Sequence, residues 1–111
     1  MPTITDEEMK AMLTKAKTYS LMILRGGPKL KEPDAQRIIW EHGRRNFELR
    51  AQGKLAIVCP VRDESDVCGI GIFNADVKET QQIMDGDPAV RAGILVYDVH
   101  RCSSFPGDTL P

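Results

Sequence analysis

The sequence predicts an α+β domain, one antiparallel sheet with its two main helices on the same face. Three observations carry that prediction. After an opening helix, strand and helix patterns follow one another in the order β-α-β-β-α-β. The two middle strands are separated only by the polar turn Arg62 to Asp66, which makes them a hairpin and therefore antiparallel. A chain of 111 residues has room for one hydrophobic core and little else.

Each element has its own signal. Thr5-Asp6-Glu7-Glu8 has the form of a capping box, with Thr5 as N-cap and Glu8 at the third helical position. Met9, Met12, Leu13 and Ala16 follow at helical spacing and predict a short amphipathic helix to about Lys17. Tyr19 to Leu24 is a strand, closed by Gly26-Gly27-Pro28. Pro33 suits the first turn of a helix that runs to Gln52, with Gly53 as its stop. Lys54 to Val61 and Val67 to Phe73 are the hairpin strands. Asp76-Val77-Lys78-Glu79 opens a helix that ends near Gly86, and Asp87-Pro88 starts one further helical turn that Gly93 ends. Ile94 to Cys102 is the last strand, and Phe105 to Pro111 reads as a tail.

This order is the ferredoxin-like split βαβ arrangement with an extra N-terminal helix. It divides the chain into a helical extension (1–18), the α+β domain (19–105) and a C-terminal tail (106–111). With both helices on one side, a chain this small leaves the other sheet face bare. A second subunit is expected to cover it, making a homodimer.

Composition removes several classes of function. Fifteen basic and sixteen acidic residues leave a formal charge of −1, with none of the basic excess that nucleic-acid binding usually needs. Six aromatic residues make a poor base-stacking surface. No apolar run approaches the roughly 20 residues of a membrane span. The opening residues are acidic and polar, the reverse of a signal peptide, so a cytoplasmic protein is the expectation. Cys59, Cys68 and Cys102 are odd in number and lack metal-ligand spacing, which predicts reduced, mostly buried thiols and no metal.

The long helix carries the chemistry. At about 100° per residue, Ala35, Ile38, Ile39, His42, Asn46 and Leu49 fall on one stripe, with His42 near its middle and facing the sheet. His42 is then either a core imidazole bonded to a backbone carbonyl or a partly buried base set by a neighbour. Asp87 is an N-cap before Pro88, but a carboxylate has two oxygens, and the free one could accept from an imidazole on the neighbouring helix. Trp40 and Phe47 lie on the opposite side of the long helix. The apolar stripe of the opening helix is expected to pack over them, in its own subunit or the partner's.

His42, then Gly53-Lys54-Leu55-Ala56-Ile57-Val58-Cys59-Pro60, and later Asp87-Pro88-Ala89-Val90-Arg91-Ala92-Gly93, resemble the YciI-like (YCII-related) proteins over about Tyr19 to Phe105. The Asp-Pro-x-Val-x-Ala-Gly segment before the final strand is the most specific part. The resemblance implies a dimeric α+β barrel of ferredoxin-like subunits and a His-Asp active site falling on His42 and Asp87. It further implies dehydrochlorinase or other lyase-type chemistry on hydroxylated aromatic compounds in at least one member. The wider barrel superfamily includes muconolactone isomerases and cofactor-free monooxygenases. Cys59 departs from the Gly-Pro usual at its position, the hairpin loop is short, and the opening helix is an addition.

Such a pair can act without metal, nucleotide or other cofactor. Asp87 accepting from one ring nitrogen fixes the tautomer, and the other nitrogen becomes a general base for a small-molecule substrate. Isomerisation and HX elimination on a hydroxylated aromatic or enol-type compound fit. A non-catalytic small-molecule-binding or interaction dimer, and a cofactor-free monooxygenase of the same barrel type, are the alternatives. Gly69-Ile70-Gly71 has no third glycine opening a helix and is not a dinucleotide fingerprint. Asp98 and His100 share a strand face as a second polar pair. Arg25, Arg62 and Arg101 lie near strand ends, where one could hold an anionic substrate.

Overall fold

The structure, a computed structural model, describes residues 3–111; Met1 and Pro2 of the expected extension lie outside the described residues. The element order is α1 (Asp6–Leu13), β1 (Lys17–Gly26), α2 (Ala35–Ala51), β2 (Leu55–Pro60), β3 (Val67–Phe73), α3 (Val77–Asp85), α4 (Pro88–Arg91) and β4 (Leu95–Ser104). The strands form one sheet in the order β2-β3-β1-β4, every pair antiparallel. This is the predicted α+β, ferredoxin-like arrangement.

Strand periodicity explains which side carries the core. Along β1 burial alternates, with Ser20, Met22 and Leu24 turned to the helices. Their partners in register are Phe73, Gly71 and Gly69 on β3. Met22, Leu24, Leu49, Leu55, Phe73, Met84, Ile94 and Leu95 are the large members of the core between the sheet and helices α2 to α4. The stripe expected on α2 is the one buried: Ala35, His42, Asn46 and Leu49 are its buried residues. Tyr97 fastens α3 to β4 through a 2.6 Å hydrogen bond from its hydroxyl to Asp85. Burial first, and then that bond and the Asp85 charge, push the phenol up to about 12.

Two glycines at positive φ, Gly53 (77°) and Gly93 (76°), end α2 and α4 as the sequence predicts. Gly27 has a different role. A side chain there would lie 2.5 Å from the Gly93 carbonyl oxygen, because its own N–H reaches the Ile94 carbonyl at 2.7 Å. This close approach ties the connection into α2 against the connection from α4 into β4. It thereby brings α2 and α4 side by side.

Several expectations need correction. The opening helix has the predicted capping box but ends at Leu13, where the Thr14 hydroxyl donates to the Ala11 carbonyl and tight turns lead into β1. Pro33 precedes α2, which starts at Ala35 after the turns at Gly27–Leu30, Lys29–Glu32 and Glu32–Ala35. The three cysteines are free but half-buried. Within the chain the opening helix does not cover the outer side of α2: α1 has no buried residue, and Trp40 and Phe47 stay 71% and 52% exposed. The chain measures 55 Å along its long axis, and its radius of gyration is 16.3 Å, against about 13 Å for a compact domain of this length.

Candidate active site

Two helices position the site. His42 sits at the start of the third turn of α2, on the face that local periodicity turns to the sheet. Asp87 is the N-cap of α4: its Oδ2 accepts from the N–H groups of Ala89 (2.9 Å) and Val90 (3.2 Å), and Pro88 takes the first helical position. Capping uses one carboxylate oxygen and fixes the other. Oδ1 accepts from His42 Nδ1 at 2.8 Å, with Asp87 wholly buried and His42 nearly so. The structure thus brings together the two residues singled out from the sequence, and the capping role and the pairing coexist.

Burial alone would raise the Asp87 carboxyl. The His42 hydrogen bond and charge, with the Val90 and Ala89 amides, outweigh that and hold it below the ordinary carboxylate value. An ionised Asp87 accepts, so Nδ1 donates. In the neutral ring Nε2 then keeps its lone pair, which faces Asn46 Nδ2 at 3.2 Å. Asn46 can serve both ring states: its NH2 donates to a neutral Nε2, and its carbonyl, after a half-turn, accepts from an imidazolium. Asn46 was legible as a member of the buried stripe, one turn after His42, yet nothing in the spacing marked it as a partner of the ring.

Arg45 was not foreseen either. Its Nη1 is buried without a hydrogen-bond partner and lies 3.8 Å from Asp87 Oδ1, too far for a hydrogen bond but near enough to favour the carboxylate. The second charge beside the pair therefore comes from α2 itself, three residues after His42.

His42 and Asn46 line a cavity of about 460 Å³ between α2 and the sheet, walled mostly by apolar groups such as Leu24, Ile39, Val58 and Leu95. Three glycines make the space. Gly69 and Gly71 form part of its floor, and a side chain at Gly71 would approach Leu55 to 2.9 Å. Gly43 borders it on α2, with nothing within 4 Å of where a Cβ would stand. The Gly-Ile-Gly of β3 is a floor, not a phosphate loop. Phe47 and Arg50 also border the cavity, the guanidinium stacked 4.7 Å over the ring.

Other sequence candidates lie elsewhere. Arg25 is held between Asp66 (3.7 Å) and Asp98 (3.5 Å), and neither it, Arg62 nor Arg101 borders the cavity; Arg50 does. His100 is exposed on β4 opposite Leu21. Among the described residues, no group of three or more His, Cys, Asp and Glu side chains is gathered as a metal site.

No family model matches the chain, and no curated protein does. Among solved structures it is similar to 5-chloro-2-hydroxyhydroquinone dehydrochlorinase (TftG) from Burkholderia phenoliruptrix AC1100, in complex with 2,5-dihydroxybenzoquinone. The identity is 20% and the TM-score 0.50, over 75% of this chain and 92% of that one. At that identity the likeness shows the fold alone. It is an α+β fold with a four-stranded antiparallel sheet.

Proposed function

We propose that this chain is a YciI-like, cofactor-independent lyase or isomerase acting on a small hydroxylated aromatic or enol-type substrate. His42 is its general base and Asp87 the group that orients it. The observation that carries the reading is the 2.8 Å contact from His42 Nδ1 to a capping, buried, ionised Asp87, at the wall of a mostly apolar cavity. The activity of the structural neighbour, dehydrochlorination of a chlorinated hydroxyhydroquinone, is of the same class. In such a step Nε2 takes a proton from a hydroxyl, or from a carbon beside a carbonyl. The electron pair left behind either draws a proton back at another atom or expels a halide. No external electrons are required, and general-base help of this kind is worth about 10²–10⁴-fold in rate.

The helix-free sheet face carries Leu21, Ile23, Ile57 and Ile72 half-buried, with Ile70 36% and Val96 45% exposed, which suits a second copy seated sheet to sheet. No helix among the described residues is long and apolar enough to cross a membrane, and a cytoplasmic homodimer whose working unit is 19–105 completes the proposal.

One observation favours a non-catalytic binding module instead. Every polar atom of the His42 ring already has a protein partner, as in a purely structural network. Turnover separates the two. A panel of chlorinated and unchlorinated hydroquinones and catechols is expected to contain a compound consumed by the wild type and not by a folded His42→Ala variant. Oxygen uptake coupled to that consumption would assign the protein to the cofactor-free monooxygenases. Equal consumption by wild type and variant would remove His42 from the chemistry.

A further inference from the structure

An eight-residue helix with no tertiary contact is not stable in water, because nucleation costs more than a few backbone hydrogen bonds return. α1 is such a helix in this chain. Its capping box is complete, yet it has no buried residue, and Ile4, Met9, Met12 and Leu13 are each about half exposed. The same chain carries a second unpartnered apolar stripe, on the outer side of α2. Trp40, Gly43 and Phe47 stand at i, i+3 and i+7, with large exposed rings flanking a glycine over which nothing lies within 4 Å. That is the shape of a seat for another helix: two walls and a small residue that permits close approach.

Charge agrees with shape. α1 has three acids in its first turn against one lysine. α2 has four arginines (Arg37, Arg44, Arg45, Arg50) against two glutamates. The two stripes do not meet within one chain, so a second copy, which carries both, is the occupant that satisfies each of them. We propose that α1 of one copy docks on the Trp40-Gly43-Phe47 stripe of another. Gly43 and Phe47 also border the cavity beside His42, so the docked helix roofs that cavity with Met12 or Leu13 of the second copy. The docking stands independently of the reaction proposed above; only its consequence for the cavity rests on that reading.

Trp40 is the single tryptophan and reports the contact directly. Two variants serve. Met12→Lys/Leu13→Lys disables the docking face while leaving the core untouched, and Trp40→Phe keeps an intact α1 but is silent in tryptophan emission. The wild type is expected to emit as a shielded indole and the double-lysine variant as a water-exposed one. The double-lysine variant, unfolded and refolded together with an excess of Trp40→Phe, is expected to shift back to shielded emission, because the helix arrives from the other copy. Water-exposed emission from the wild type at micromolar concentration would overturn the proposal. So would shielded wild-type emission that the Trp40→Phe copy fails to restore, since that places the contact within one chain. Sedimentation of the double-lysine variant reports the sheet-to-sheet dimer separately, so loss of one association is not mistaken for loss of the other.

Discussion

Asp87 carries two loads through two oxygens, and the consequences are separable. Asn is also a good N-cap, so Asp87→Asn keeps the α4 cap while removing the charge opposite His42. Its stability at pH 7 is expected to fall by about 2 kcal/mol, the scale of a hydrogen bond to a charged group. The folded carboxyl is held below its ordinary 3.8, so its contribution is complete above that value and is lost as pH falls through the lower folded one. Urea titrations of wild type and Asp87→Asn should therefore converge as pH drops below 3.8. A gap independent of pH would mean that the charge of Asp87 does not matter to folding. At this scale the sequence was informative about side chains with a directional role. The cap at Asp87 and the inward His42 were legible from local pattern. The Arg45 Nη1 buried beside Asp87, and Asn46 against the ring, depend on how two helices lie together, which no local pattern encodes.

Glycines show how the elements divide into those held by backbone and those held open for a purpose. Gly53 is at φ 77° with nothing near its missing Cβ, so Gly53→Ala costs only the left-handed conformation, about 1–2 kcal/mol. Gly43 is helical, with equally open space within the chain, and Gly43→Ala placed in the Met12→Lys/Leu13→Lys variant, where no helix docks over it, should raise stability by about 0.5–1 kcal/mol. Opposite signs in thermal unfolding check both assignments; a destabilising Gly43→Ala would show that its space is already filled. Helix stops and starts were readable because Gly53, Gly93, Thr5 and Asp76 each solve a local backbone problem. The two ends read incorrectly, at Lys17 and Pro33, are places where turns of i to i+3 hydrogen bonds replace the helix without changing its residue pattern.

For the whole molecule, β-α-β-β-α-β order was enough to predict sheet composition and the face on which the helices lie. It could not place α1, whose apolar stripe is as good a signal for a partner's surface as for its own. Nor did it foresee that Phe105, Pro106 and Leu110 border a hollow of about 380 Å³ with Tyr19, Ile57 and Ile72 of the helix-free face. The proposed dimer surface takes in Ile57 and Ile72 at that hollow together with Leu21 and Ile23. Sedimentation of the Met12→Lys/Leu13→Lys variant, in which α1 docking is disabled, is expected to give twice the 12.4 kDa chain mass, and a single chain mass once Ile23→Glu is added, which sets a charge in the middle of the face. A monomeric double-lysine variant would contradict the sheet-to-sheet assembly.

The proposed chemistry requires a proton at His42 Nδ1, held there by Asp87, with the lone pair on Nε2, beside Asn46, as the basic site. Nitrogen NMR of the neutral ring reads this directly, and His100→Gln leaves His42 as the sole imidazole. The wild-type ring should carry its proton on Nδ1. In Asp87→Asn the amide NH2 can take the place of the lost acceptor, and the proton should move to Nε2. A ring protonated on Nε2 in the wild type, or the same tautomer in both proteins, would contradict the pairing on which the proposed chemistry depends.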